Sequence, residues 1–413
     1  MSRRSFVRAT SSGALALALS AKFPLANSTG SSVGHSDPIT AVRLGVPHSI
    51  PNNSGDTWAA AWADDGNLYT PSNDTAGFHG IDPFHLTEDQ IEKLKSCGID
   101  ESRLSIDSSS TLAFNRLEGV DPLSFDGVTL TMMPDFHQLD HGAKSRTGID
   151  VGMDGRTWKS SGCASIDGVI YWAIARHRYG DDSGDFRLRQ TAADASLICS
   201  RDYGRTWSRP PADNFSAPMF PGSRFATPYF IDYGKVTNAP DGADRYVYAV
   251  SNNGYWDNGD HMILGRVLRT RIASLDGTNW EFLAGGVDGT LDSSWSKDPD
   301  AARAILENRG KLGETGAFYV PDRQRYLMIG WYYPAGSGKI ERASNRTIWD
   351  FYEAPKPWGP WHHIHSHEFS PAGYYCPIIC PKFRSKNKLY VLTAGDFNTS
   401  EFYRLTVVPI EYT

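Results

Sequence analysis

Residues 56–70 read Asp56-Thr57-Trp58-Ala59-Ala60-Ala61-Trp62-Ala63-Asp64-Asp65-Gly66-Asn67-Leu68-Tyr69-Thr70: an apolar run, a polar turn, and a second run. Asp-Gly between two such runs signals a tight turn, because glycine reaches positive φ without steric cost. Apolar character that is nearly continuous, rather than alternating, marks strands buried on both faces. The stretch therefore reads as a β-hairpin from the interior of a packed β-structure.

The same layout recurs four times. Lys159–Ile166 meets the turn Asp167-Gly168 and returns as Val169–Ile174. Phe225–Tyr233 returns, after a longer polar loop, as Tyr246–Val250. Gly316–Val320 turns at Pro321–Gln324 into Tyr326–Ile329, and Tyr374–Phe383 turns at Arg384–Asn387 into Leu389–Leu392. Each pair is followed by room for an outer pair. Five such units predict an all-β fold, a five-bladed β-propeller. Ala41–Gly45 and Arg404–Ile410 read as strands that together close the ring between the first and last blades. Ser200-Arg201-Asp202-Tyr203-Gly204-Arg205-Thr206-Trp207 matches the Asp-box of sialidase-like propellers, with partial copies at Asp154–Trp158 and Ser274–Trp280. These are structural motifs, in which the Asp caps turn amides and the Trp packs between sheets. Thr87-Glu88-Asp89-Gln90 opens a short helical insertion over residues 84–104, between the two hairpins of the first blade. A second short helix is expected over Asp298–Asn308.

The N-terminus carries Arg3 and Arg4 before a short apolar run, Gly13–Leu19. Paired arginines in that position indicate a twin-arginine export signal, and the run is too short for a permanent span, which needs about 20 residues. Residues 1–26 are expected to be removed near Ala21 or Ala26, with 27–38 a linker and 39–413 a single propeller domain. The mature chain is then periplasmic or extracellular, with no membrane span. Forty-one Lys and Arg against 47 Asp and Glu give a net charge of −6, which argues against a nucleic-acid partner. Five scattered cysteines, Cys97, Cys163, Cys199, Cys376 and Cys380, do not describe a disulfide framework.

Residues equally far from a hairpin turn face one another at its open end. By that rule Asp56 faces Asp74 and Lys159 lies near His177. Arg224 lies near the stretch holding Trp256 and Asp257, Glu314 near Trp331, and Tyr374 near Asp396. In a propeller the open ends surround one mouth of the central channel. Two carboxylates there supply acid and base or nucleophile, while cations, amides and aromatic rings hold a sugar. Asp56, Asp74 and Glu314 are the candidate catalytic residues. Trp58, Lys159, His177, Arg224, Trp256, Asp257, Trp331, Tyr374 and Asp396 are the candidate substrate-binding residues, and the expected partner is carbohydrate.

Gly55–Trp58 and Trp62–Tyr69 resemble the opening of a bacterial family catalogued as a domain of unknown function, some of whose members are endo-D-arabinanases. Met219–Gly222, Leu264–Val267 and Glu353–Trp361 resemble it too. The resemblance covers most of the chain from about residue 41. It implies an arabinanase-type five-bladed propeller and acid chemistry by two aspartates, for which Asp56 and Asp74 match the first-blade positions. The family is broad, so arabinan is one substrate among several.

Three functions compete. A glycoside hydrolase would use Asp56 and Asp74, assisted by Glu314. A polysaccharide lyase would use His177, Lys159 and Tyr374. A glycan-binding propeller would keep the aromatics without the acid pair. His363, His365 and His367 would share a strand face, but the segment reads as a solvated outer strand rather than a metal site. No metal or cofactor is expected, and no phosphate-binding glycine loop or Gly-x-Ser-x-Gly elbow is present.

Overall fold

Asp167 (φ 52°) and Gly168 (φ 76°) are both left-handed, the turn geometry that lets Ile166 pair directly with Val169. Hairpins of this kind organise the computed structural model, which describes residues 36–79, 88–96, 110–137, 154–179, 186–236, 239–286, 294–334, 346–370, 372–396 and 403–413. Met1–His35, with the expected export signal, and Cys97 lie outside the described residues, as does most of 136–150.

The strands form four sheets; three are antiparallel, and the ten-stranded one joins two antiparallel stretches through the parallel pairing of Ile231 with Ala317, which gives five successive antiparallel units along the chain. The first holds Asn53–Asp56 and Ala61–Trp62 on Leu68–Phe78, then Ser110–Glu118 and Asp126–Thr131. The second is Thr157–Ile166, Val169–Tyr179 and Gln190–Ser200. The third runs Tyr229–Asp232, Tyr246–Asn252, His261–Leu268 and Trp280–Leu283. The fourth runs Ala317–Val320, Arg325–Tyr332, Thr347–Ala354 and His362–Phe369, so the histidine-rich segment is an outer strand. The fifth runs Ile378–Ser385, Lys388–Thr393 and Thr406–Tyr412, and takes Val42–Leu44 from the N-terminal end as its outer strand. The expected pairing of the two chain ends is present. The helix Glu88–Ser96, which its capping pattern predicts, falls between Leu68–Phe78 and Ser110–Glu118 of the first unit. Among the described residues no helix is long and apolar enough to cross a membrane.

The second expected helix is absent. Pro299–Ala301 forms a single 3-10 turn capped by Asp298, and Ala304–Glu307 is a strand on His261–Leu268. Pairing of Met262 with Leu306 buries apolar residues that an isolated short helix would leave exposed.

First strands of neighbouring units lie side by side. Ala61–Trp62 contacts Thr157–Ile166, which contacts Tyr229–Asp232; Ile231 pairs in parallel with Ala317. Ala317–Val320 in turn contacts Ile378–Ser385, which returns to Ala61–Trp62. The approach is closest at Gly162, whose N–H donates to the Pro228 carbonyl at 2.9 Å and where a Cβ would stand 2.6 Å from the Tyr229 Cα. Any side chain there would push the second and third units apart.

Large aromatic side chains fill the space between units. Trp207 of the Asp-box packs edge-on to Phe114 (4.7 Å) of the first unit and Trp172 (5.3 Å) of the second. Asp202 accepts from the Thr206 N–H at 2.9 Å and from its hydroxyl at 2.7 Å, which fixes the turn that delivers the indole. Asp276 accepts from the Thr278 N–H in the same way ahead of Trp280. These boxes do not line the cleft that holds Asp56 and Asp74, and their contacts are structural. Asp202→Ala should therefore lower unfolding free energy by about 1–2 kcal/mol in urea while leaving the titration of Asp56 unchanged. An unaltered midpoint would show that the box contributes nothing to the packing.

Candidate active site

Asp56 ends the strand Asn53–Asp56, but its partner is Asn73, because the register slips between Ser54 and Asp56. A slip of this kind inserts an extra residue into one strand and re-aims the side chains around it. Gly55 (φ 136°), Thr57 (φ 57°) and Asp74 (φ 45°) absorb it. Asp74 would otherwise point away from its neighbour Asn73. Its left-handed backbone brings both into one cleft with Asp56. The expected facing of Asp56 and Asp74 is thus replaced by adjacency across a bulge, and both still line one cleft.

The cleft is narrow and partly open, and takes side chains from every unit, among them Asp56, Lys159, Trp256, Tyr333 and Tyr375. Asp56 is 7% exposed. Its Oδ2 accepts from the Tyr375 hydroxyl at 2.7 Å and its Oδ1 from the Thr57 hydroxyl at 3.1 Å. Burial, and then the charge of Asp74, raise its pKa from 3.8 to about 6, against the pull of Lys159 and the two hydroxyls. Asp74 is held differently. Its Oδ1 forms a buried ion pair with the Lys159 ammonium, and its Oδ2 accepts from the Tyr179 hydroxyl at 3.1 Å. The two carboxylates share a cleft, but only one has a cation bonded to it.

Several expected residues take other places. Lys159 pairs with Ala175, not His177, because a second bulge lies between Ser160 and Cys163. That shift points its ammonium across to the first unit. His177 is fully buried, with Nε2 3.0 Å from Gln190 Oε1 and its ring against Tyr179 and Trp256, so it does not line the cleft. Trp256 and Asp257 do line it, and Asp257 pairs with Arg189. Arg224 lies elsewhere, bonded to His261 at 2.6 Å and to the Pro299 and Ala302 carbonyls. Trp58 is a core residue packed on Phe78, and Trp331 is buried with its Nε1 donating to the Glu314 carbonyl at 2.8 Å. Tyr374 turns outward and stacks on Phe369 at 4.4 Å, while Asp396 bridges Gly373 outside the cleft.

Glu314 is fully buried beneath Asp56 and does not reach the cleft. The Cys376 thiol donates to its Oε1 at 3.0 Å, and burial pushes its pKa well above the usual carboxylate range. Cys376 Sγ also lies 3.8 Å from the Thr57 hydroxyl oxygen, whose one proton goes to Asp56, so polar side chains run in a line from Asp56 to Glu314. The four described cysteines are free and buried. Among the described residues no group of three or more His, Cys, Asp or Glu is arranged to hold a metal ion. Sequence reasoning missed Tyr179, Arg189, Tyr333, Tyr375 and Tyr403. Tyr375 was within reach, one residue from Tyr374, but the choice between them depends on backbone angles that composition does not reveal.

Residues 123–408 match the family described as a domain of unknown function, DUF4185. The chain belongs to this family. Asp56 and Asp74 lie before the matched range of DUF4185, while their partners Lys159, Tyr179 and Tyr375 lie inside it. No curated protein matches the chain. Solved structures similar to this DUF4185 chain include a candidate hydrolase from Bacteroides ovatus ATCC 8483, at 14% identity and TM-score 0.49 over 88% of this chain and 87% of the other. A GH43_1 enzyme from Xanthomonas citri complexed with xylose is 11% identical, with TM-score 0.42 over 88% and 90%. The xylan β-1,4-xylosidase of Bacillus halodurans C-125 is 12% identical, with TM-score 0.42 over 87% and 54%.

The ionisation of Asp56 predicts a pH effect on stability. Its native pKa of about 6 exceeds the ordinary 3.8, so the folded state is favoured below pH 3.8 and loses that advantage as pH rises through 6. A shift of about two units corresponds to about 3 kcal/mol. Asp56→Asn removes the buried charge and keeps an acceptor for Tyr375. Denaturant unfolding should show the variant more stable than the parent at pH 7.5, with the gap closing toward pH 4. A gap equal at both pH values would contradict the assignment.

Proposed function

We propose that this chain is a glycoside hydrolase on a closed five-bladed β-propeller, with Asp56 as proton donor and Asp74 as its carboxylate partner. The observation that carries the reading is the unequal treatment of two carboxyl groups in one cleft. Glycosidic cleavage needs one carboxyl that holds a proton and one that does not. Burial and neutral donors let Asp56 keep its proton in mildly acidic solution, whereas Asp74 is the anion of a buried ion pair. Asp56 gives its proton to the departing glycosidic oxygen. Asp74 attacks the anomeric carbon or activates the water that does. Glu314 supports Asp56 from beneath rather than meeting the sugar.

The order of contacts among first strands, returning from the fifth unit to the first, supports the closed ring. Arabinan-type polysaccharide is the first substrate to try, given the family resemblance. Export by the twin-arginine route, with residues 1–26 removed, would bring the enzyme to such a polymer.

The lyase reading loses its parts. Lys159 is already neutralised by Asp74, His177 is enclosed, and Tyr374 faces away. A lyase needs an available base and a cation for the uronate. A pure glycan binder would have no use for two buried like charges.

Incubation with a panel of arabinan, xylan and uronate-containing polysaccharides tests the proposal. New reducing ends without an ultraviolet-absorbing product are expected. Asp56→Asn should lower turnover by about 100-fold or more with the fold intact, and Asp74→Asn should lower it as much with a loss of stability, because it leaves Lys159 unpaired. Unsaturated products, or full activity in Asp56→Asn, would overturn it.

A further inference from the structure

Tyr375 stands between two residues with left-handed backbones, Tyr374 (φ 50°) and Cys376 (φ 52°). Non-glycine residues seldom adopt that conformation, and it concentrates where a site demands it. Here it sends three successive side chains to three places. Tyr374 goes outward onto Phe369, Tyr375 goes to Asp56, and Cys376 goes to Glu314. The Tyr375 carbonyl accepts from the Thr393 hydroxyl at 2.8 Å, and its ring lies 6.0 Å from Trp331. Backbone and ring are thus fixed before the hydroxyl meets the carboxylate.

We propose that Tyr375 is a positioning residue that fixes Asp56 Oδ2 and sets the acidity at which Asp56 releases its proton. The inference rests on the proton-donor reading of Asp56 and extends it. A neutral donor stabilises a carboxylate without committing it to ionisation, whereas a bonded cation would do so. Asp74 has the cation and Asp56 has the phenol. The other groups around Asp56 are Asp74 and Lys159 at the cleft, with Glu314, Cys376 and Tyr229 beneath. Tyr333 and Tyr403 flank Tyr375. Burial and Asp74 push Asp56 upward, and the Tyr375 bond is among the contacts that pull it down.

The test needs no substrate. Carbon NMR of protein labelled at the Asp carboxyl carbon follows Asp56 through its titration, with the resonance identified by its loss in Asp56→Asn. Tyr375→Phe should raise the midpoint by about half a pH unit or more. A fluorinated tyrosine at position 375, a stronger donor of nearly the same shape, should lower it and serves if the Phe variant does not fold. Tyr374→Phe should leave it unchanged. A midpoint that both Tyr375 replacements leave at the parent value overturns the proposal. On a responding glycan, the alkaline limb of the pH–rate profile should move up with the Tyr375→Phe midpoint. If the acidic limb moves instead, Tyr375 still tunes Asp56, and it is the proton-donor assignment that fails.

Discussion

The buried ion pair between Lys159 and Asp74 is the contact on which the rest of the site depends. It joins the second unit to the first, and it cancels one of two negative charges at buried positions. Removing either partner alone would leave an uncompensated buried charge, at a cost of about 3–5 kcal/mol. With Asp74 neutralised, Asp56 is bonded, among the described residues, to the hydroxyls of Thr57 and Tyr375 rather than to a cation. The difference between the two carboxylates follows from where one lysine points.

That direction is set by backbone irregularity. A bulge between Asn73 and Gly77 shifts the phase of Leu68–Phe78 in the first unit, and one at Ser161–Gly162 shifts Thr157–Ile166 in the second. Thr57, Asp74, Tyr374 and Cys376 all adopt left-handed angles within the same small region. Such residues cost stability, and they persist where surrounding structure over-determines them. Here the adjoining units supply it. The contacts between neighbouring first strands, tightened at Gly162, and the aromatic packing around Trp207, Phe114 and Trp172 hold the frame that carries the strain.

Much of the frame was legible in the sequence. Asp-Gly turns and continuous apolar runs located the hairpins, and the capping pattern located the helix at Glu88–Ser96. Asp56 and Asp74 were legible as a pair because they are nearly symmetric about one short turn. Lys159 and His177 were not, since one bulge changes which residue faces which, and a one-residue shift reverses every side chain beyond it. Tyr374 was chosen over Tyr375 for the same reason. Contacts between units, such as Lys159 with Asp74 or Tyr375 with Asp56, are invisible to hairpin geometry, which pairs residues only within a unit. Trp58 and Trp331 show the limit of composition: their rings belong to the core, while Trp256 alone among the chosen tryptophans reaches the cleft.

The most direct test is a crystal structure of Asp56→Asn with an intact oligosaccharide of whichever glycan the parent protein cleaves. The glycosidic oxygen should lie within about 3 Å of the residue 56 side chain, with the anomeric carbon turned toward Asp74 and the ring against Trp256 or Tyr333. A sugar bound away from this cleft, or one whose scissile bond meets neither residue 56 nor Asp74, would contradict the two-carboxylate account.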